Sequence, residues 1–248
     1  MNERDGASEA KPTMATLEKL RSSNLVDLVF EQLRNAILDK SLPPGLRVTE
    51  AGLAKHLDVS KTPVREALLR LRQIGLIEDD GRRGGRVIAP SRVAIEHAFE
   101  VREALETFTA RAAAERASAA SRATIVAAAG NSLEGAEAGD REAFTTWDAT
   151  FHGRICAVSD NPRLTALVED AGALITTLRR RDLPHARASI ECAQGHVRIA
   201  RAIDSQDPDA AAAEMRAHLL QVRNYVLEAL EDVLEEPEGA AVSVRGAT

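Results

Sequence analysis

The chain has 248 residues, 44% of them hydrophobic and 28% charged, with a formal net charge of −6. That length exceeds the usual size of one domain and predicts two, each with enough residues for a core. No apolar run approaches the roughly 18 residues of a membrane-spanning helix; two cysteines supply neither a disulfide framework nor a sulfur-rich zinc site, and a pI near 5.6 excludes indiscriminate polyanion binding.

Residues 1–19 are polar, contain no apolar segment for a secretory pathway to read, and are expected to stay disordered in the cytoplasm. From Asn24, LVDLVFEQLRNAIL repeats apolar residues every three or four positions and predicts an amphipathic helix that stops before SLPPG. TEAGLAKHL follows as a second helix capped by Thr49. A third begins in VSKTPVREALLRLRQ, with Ser60 at its cap. Pro63 then falls in the first turn, where its missing N–H has no intrahelical partner to lose. Val64, Ala67, Leu68 and Leu71 gather on one side as a core face, and Lys61, Arg65 and Arg72 form an adjacent cationic stripe. LIEDDGRRGGRVIA alternates around a glycine-rich turn, a hairpin pattern. Three helices and a hairpin over residues 20–90 predict a winged helix-turn-helix domain.

Residues 20–90 carry 12 Lys and Arg against 9 Asp and Glu, whereas residues 91–248 carry 17 against 25. A locally basic module in an acidic chain is the balance a specific reader of double-stranded DNA needs. A first helical turn presenting Lys61, Thr62 and Arg65 suits the major groove. Arg82 and Arg83, beside Gly84 in the wing turn, can reach a backbone or a minor groove. The competing reading is a solvated cationic face.

Glu50 to Ile88, EAGLAKHLDVSKTPVREALLRLRQIGLIEDDGRRGGRVI, resembles the DNA-binding signature of the GntR family of bacterial transcription regulators, above all in its VSxTPVREAL core. The resemblance implies that Lys61 and Arg65 contact the operator and that the wing glycines approach the DNA backbone. Lys61 stands where the family usually has Arg, which would reduce a bidentate contact to a point charge. Asp58 occupies a turn position usually held by Gly, in a left-handed conformation that Asp tolerates.

From residue 91 to 233 every pattern is helical, in segments near 92–118, 121–138, 141–159, 162–182, 186–205 and 208–233, followed by a tail expected to be disordered over 234–248. Asn161-Pro162 and Asp207-Pro208 mark helix starts. The fold class is therefore mainly α, a winged helix followed by an all-α six-helix bundle. Asp148 and His152, four apart, share a helix face, while His196 and His218 lie within apolar periodicity on two further helices. Three imidazoles and one carboxylate suit a divalent transition metal, zinc before nickel or manganese, with a coordination position left open. Hydrogen-bonded core histidines are the other reading. Cys156, four after His152, and Cys192, four before His196, are read as small core residues rather than ligands. His56, His97 and His185 have no partner pattern.

This spacing, Asp-x3-His with a His 44 residues on and another 22 beyond, resembles the FCD ligand-binding domain that accompanies one branch of GntR regulators, in its six-helix VanR-like form. The resemblance implies that Asp148, His152, His196 and His218 hold the metal, that Arg102 in EVREALE pairs with an effector carboxylate, and that the bundle makes homodimer contacts. From the residues alone, Arg102 forms a surface i,i+4 pair with Glu106 equally well. The chain thus reads as a cytoplasmic, homodimeric repressor on a palindromic operator, released by a small organic acid at a metal site. An alternative is a metal-sensing regulator whose signal is the ion itself. A metalloenzyme is disfavoured because no general acid or base accompanies the histidines at motif spacing.

Overall fold

The computed structural model describes residues 23–81, 83–178 and 186–235. Arg82, His185, the stretch 1–19 expected as a tail, residues 236–248 of the tail expected over 234–248, and the last four residues of the segment expected at 162–182 lie outside the described residues, whereas residues 234 and 235 are helical.

Helix α1 (Ser23–Leu38) buries Val29, Phe30, Leu33 and Ile37, the three- and four-residue steps of its sequence. Strand β1 (Arg47–Thr49) leads directly into α2 (Glu50–His56), where Thr49 Oγ1 accepts the Gly52 amide at 3.0 Å and so caps the helix. Asp58, at φ 53°, turns the chain towards α3 (Lys61–Gln73) through the left-handed region. Pro63 lies in the first turn of α3 and is buried together with Val64, Ala67, Leu68 and Leu71. Ser60 has the extended backbone of a cap residue, but its side chain makes no capping bond. That expectation is corrected: the residue is exposed, so water can serve the free amides of the first turn.

The expected hairpin forms as β2 (Ile77–Glu78) and β3 (Gly84–Val87). It is completed by β1, giving an antiparallel sheet of order β1-β3-β2 with Arg47 opposite Arg86 and Ile77 opposite Val87. A three-residue strand is too short for alternation to register in a sequence. Central strand β3 opens with two glycines because neighbouring backbone leaves no room for a side chain. A Cβ on Gly84 would overlap the Val48 carbonyl oxygen, and one on Gly85 would lie 2.7 Å from the Glu78 oxygen.

Six helices follow: α4 (Arg92–Arg116), α5 (Ala119–Glu137), α6 (Arg141–Ala157), α7 (Pro162–Leu178), α8 (Ala186–Asp204) and α9 (Pro208–Glu235). The oxygens of Ser91, Ser118 and Asp140 cap α4, α5 and α6 by accepting the amides of Ala94, Ser121 and Ala143. Helix α4 packs on α9 and α7, and α5 on α6 and α8. Buried alanines such as Ala110, Ala113, Ala128 and Ala193 let these helices approach closely, and Phe151, Ile155, Ile199 and Met215 fill the space between them. Leu174 of α7 packs against both the bundle core and the core of the winged helix, with Gly75 beside it. The helix that carries this contact also packs on α4 and α6, the two helices that bring Arg102, Asp148 and His152 to the bundle interior.

Candidate DNA-binding face and metal centre

Because α3 buries its Val64 and Leu68 side, its opposite side at the first turn exposes Lys61, Thr62 and Arg65. Arg65 is held in a two-point fork, with Nε donating to Glu50 Oε1 and Nη2 to Oε2, each at 3.1 Å. The Arg65 bond, with the positive field of Arg83 and Arg72 behind it, holds the buried Glu50 carboxyl below its usual range despite burial. The fork fixes the guanidinium plane while 55% of the Arg65 side chain remains exposed. Arg72 does not stand free on the stripe as expected. Its Nη2 donates to the Gly84 carbonyl and its Nη1 lies 3.7 Å from Asp79 Oδ2, so it ties α3 to the wing. Arg83 is exposed at the wing turn, and Gly84 is paired with Thr49 inside the sheet. A groove of about 480 Å³ between α3 and the wing is lined by Glu50, Arg65, Leu68, Leu69, Arg72, Asp79, Gly81 and Arg83.

In the bundle, α6, α8 and α9 bring His152, His196 and His218 together, with ligand nitrogens all within 4.8 Å of one another. His196 is shared with a second set: its Nε2 lies 3.4 Å from Asp148 Oδ1 and 3.9 Å from Cys192 Sγ, and that Sγ lies 3.8 Å from Asp148 Oδ1. All three rings are buried. Burial pushes His196 down to about 3, against the raising influence of Asp148, and burial together with the neighbouring imidazoles pushes His218 well below its usual range. Both are therefore neutral at physiological pH and offer lone pairs, the form in which imidazole binds a metal. Ser132 Oγ pairs with His196 Nδ1 at 3.1 Å, which leaves Nε2 facing the cluster. His218 Nδ1 is buried and has no hydrogen-bond partner among the described residues. Three imidazoles with converging nitrogens, one of them unsatisfied, and one carboxylate fit a divalent transition metal.

Arg102 is buried beside this cluster. The i,i+4 pair with Glu106 does form, but inside the protein rather than on its surface: Arg102 Nε donates to Glu106 Oε1 at 2.5 Å. Glu106 Oε2 lies 2.6 Å from His152 Nδ1, a short approach made off the ideal hydrogen-bond direction. Burial alone would raise the Glu106 carboxyl, but Arg102 and His152 together reverse this and hold it at about 2.

Comparison with known proteins explains why these two sites share one chain. Residues 25–87 match the model of the gntR family of bacterial regulatory proteins and residues 97–221 that of the FCD domain, the second match alone covering half of the chain. The chain belongs to the GntR family of transcriptional regulators, in its FCD branch. It is 30% identical over 197 residues to the Nta operon transcriptional regulator of Aminobacter aminovorans, spanning 78% of this chain and 90% of that one. It is 29% identical over 209 residues to a probable D-xylose utilization operon transcriptional repressor of Paenarthrobacter nicotinovorans, spanning 83% and 90%. Its fold is similar to that of E. coli McbR/YncC, with a TM-score of 0.67 at 20% identity, covering 82% of this chain and 97% of that one. These two relatives are named as regulators, and the chain is a regulator rather than an enzyme.

In this GntR regulator, sequence reasoning missed Glu50 and Ser132, whose partners lie 15 and 64 residues away and leave no local spacing. It also missed Gly195. A Cβ there would lie 2.7 Å from His218 Nδ1, so the glycine makes room for the imidazole. Gly195→Ala improves helix propensity by about 1 kcal/mol yet pushes His218 aside. It is expected to lower zinc affinity about tenfold or more, as loss of a supporting contact does, measured by competition against a chelating dye. Unchanged affinity would mean that His218 does not coordinate.

Proposed function

We propose that the protein is a cytoplasmic repressor that binds a palindromic operator as a homodimer and is released by a small organic acid held at a divalent-metal centre in the bundle. The observation that carries this reading is the convergence of His152, His196 and His218, with Asp148, beside a buried guanidinium. Zinc is the ion that this donor set fits best, with nickel or manganese as alternatives. It would supply a Lewis-acidic position that a carboxylate can occupy, and Arg102 would bind the same carboxylate through a charge-assisted pair. Relatives named as regulators or repressors of operons support a repressor of the same kind. Lys61, Thr62, Arg65 and the wing residue Arg83 would meet the DNA, joined by Arg82, while buried Gly84 would act with Arg72 by bracing the wing. No helix among the described residues is long and apolar enough to cross a membrane.

Homodimerisation is supported by the outer face of α4. Val93, Val101 and Phe108 are 58%, 51% and 53% exposed and, with His97 and Ala104 between them, repeat at three- and four-residue steps. An exposed stripe of this kind, apolar apart from His97, marks an interaction face. Phe108→Glu is expected to turn a dimer into a monomer in light scattering after size exclusion. A dimer that persists at micromolar protein would place the interface elsewhere.

The test of function is a thermal-melt panel of small carboxylates, run with zinc and after chelation. A ligand at 100 times its Kd adds about 2.7 kcal/mol, roughly 5 to 10 °C for a chain of this size. A shift that requires both acid and metal supports the proposal; no shift with any acid removes the effector from it. A second reading, in which the ion is the signal, draws on the Arg102–Glu106 pair, because a guanidinium already matched by a buried carboxylate needs no acidic ligand. Chelation that lowers the melt and also releases operator, with no acid active, selects that reading.

A further inference from the structure

Glu106 is 2% exposed and sits on α4, outside the donor set of the metal centre. Its two oxygens are divided between two functional groups: Oε1 accepts from Arg102 Nε at 2.5 Å, and Oε2 lies 2.6 Å from His152 Nδ1. We propose that Glu106 is a positioning residue that joins the metal centre to the arginine beside it, orienting His152 and Arg102 with one carboxylate so that occupancy of either is felt by the other. This inference rests on the metal-centre reading above.

A carboxylate this deeply buried is tolerated only when charge-matched, and Arg102 supplies the charge. Its second oxygen faces an imidazole nitrogen, which favours the tautomer protonated at Nδ1 and directs the Nε2 lone pair of His152 towards the cluster. A carboxylate behind a ligating histidine both fixes the ring and raises its basicity. The His152 ring centroid is 5.2 Å from that of His196 and 5.4 Å from that of His218, within the span of one shared ion. Ser132 plays the orienting part for His196, but it is neutral and, unlike Glu106, brings no arginine with it. Among the described residues, the His152 arm connects the ion, through Glu106, to a cation that can bind a ligand. An acidic ligand that draws on Arg102 loosens its hold on Glu106 and leaves that carboxylate to bind His152 more strongly. Ligand and metal then favour each other reciprocally.

The test is a titration of full-length protein with Co2+ alone, followed by visible absorption, for wild type, Glu106→Gln, Arg102→Met and the double variant. Glu106→Gln is expected to bind Co2+ about 10- to 100-fold more weakly, with a shifted absorption band, because the ring orientation changes. The double variant removes both buried charges and guards against a lone unmatched arginine; it should melt cooperatively and show the same weakened binding. Arg102→Met should alter Co2+ affinity about threefold or more when Glu106 is present and clearly less in the Glu106→Gln background. Binding by either Gln variant within threefold of wild type, with an unchanged spectrum, overturns the proposal, as does strict additivity of the two substitutions. Failure of wild type to take Co2+ at all would instead remove the metal centre on which the proposal rests.

Discussion

Arg65→Ala is expected to weaken binding to the cognate operator by about 1–3 kcal/mol, roughly 5- to 150-fold, and to relax preference at one base position. The measurement is fluorescence anisotropy on a duplex recovered by selection from random DNA, with the random pool as comparison. The size of the effect follows from preorganisation. Glu50 holds the guanidinium by two parallel bonds, so little side-chain freedom remains to be lost when the exposed part of Arg65 meets a base edge. Lys at this position keeps the charge but loses the fork, so Arg65→Lys should recover binding to random DNA more than binding to operator. Equal loss on operator and random DNA would make Arg65 a phosphate contact instead.

His196→Ala is expected to abolish stoichiometric zinc binding. His196 is the residue common to both donor sets, one with His152 and His218 and the other with Asp148 and Cys192, so neither survives its removal. Loss of a residue that merely supports a ligand costs about 10- to 100-fold in metal affinity, and loss of this ligand should cost more than 100-fold. Metal analysis of purified protein and competition against a chelating dye measure it. In the same variant, added zinc should no longer raise the melting temperature. A His196→Ala protein that still carries one equivalent of zinc would place the metal elsewhere.

What could be read from the sequence is what lies within a few residues. Pro63 in a first helical turn and the Val64, Ala67, Leu68 and Leu71 face of α3 follow from the helical period alone, and the structure buries all five. The Asp148 and His152 spacing likewise needs only one helix. Meeting points between elements were less visible. Arg72 is held by a carbonyl 12 residues further on in the wing, and β1 is three residues long, so neither shows in a local pattern. Glu106 was visible as the i+4 neighbour of Arg102, but its burial was not, because α4 carries alanines on several sides and its apolar face is poorly marked. Cys192 approaches Asp148 and His196 within 4 Å, while its spacing from His196 alone was equally that of a core residue. That His152, His196 and His218 converge was expected from the family resemblance rather than from any period, since three helices must meet to bring them together.

The regulator reading is tested most directly by operator affinity of the zinc-loaded protein, with and without the acid that raises its melting temperature. Release requires that acid to favour the arrangement of winged helices that cannot bind DNA, and a coupling of about 1–3 kcal/mol corresponds to a 5- to 150-fold loss of affinity. A loss in that range that disappears in His196→Ala is the predicted result. Operator affinity unchanged at saturating acid would contradict it.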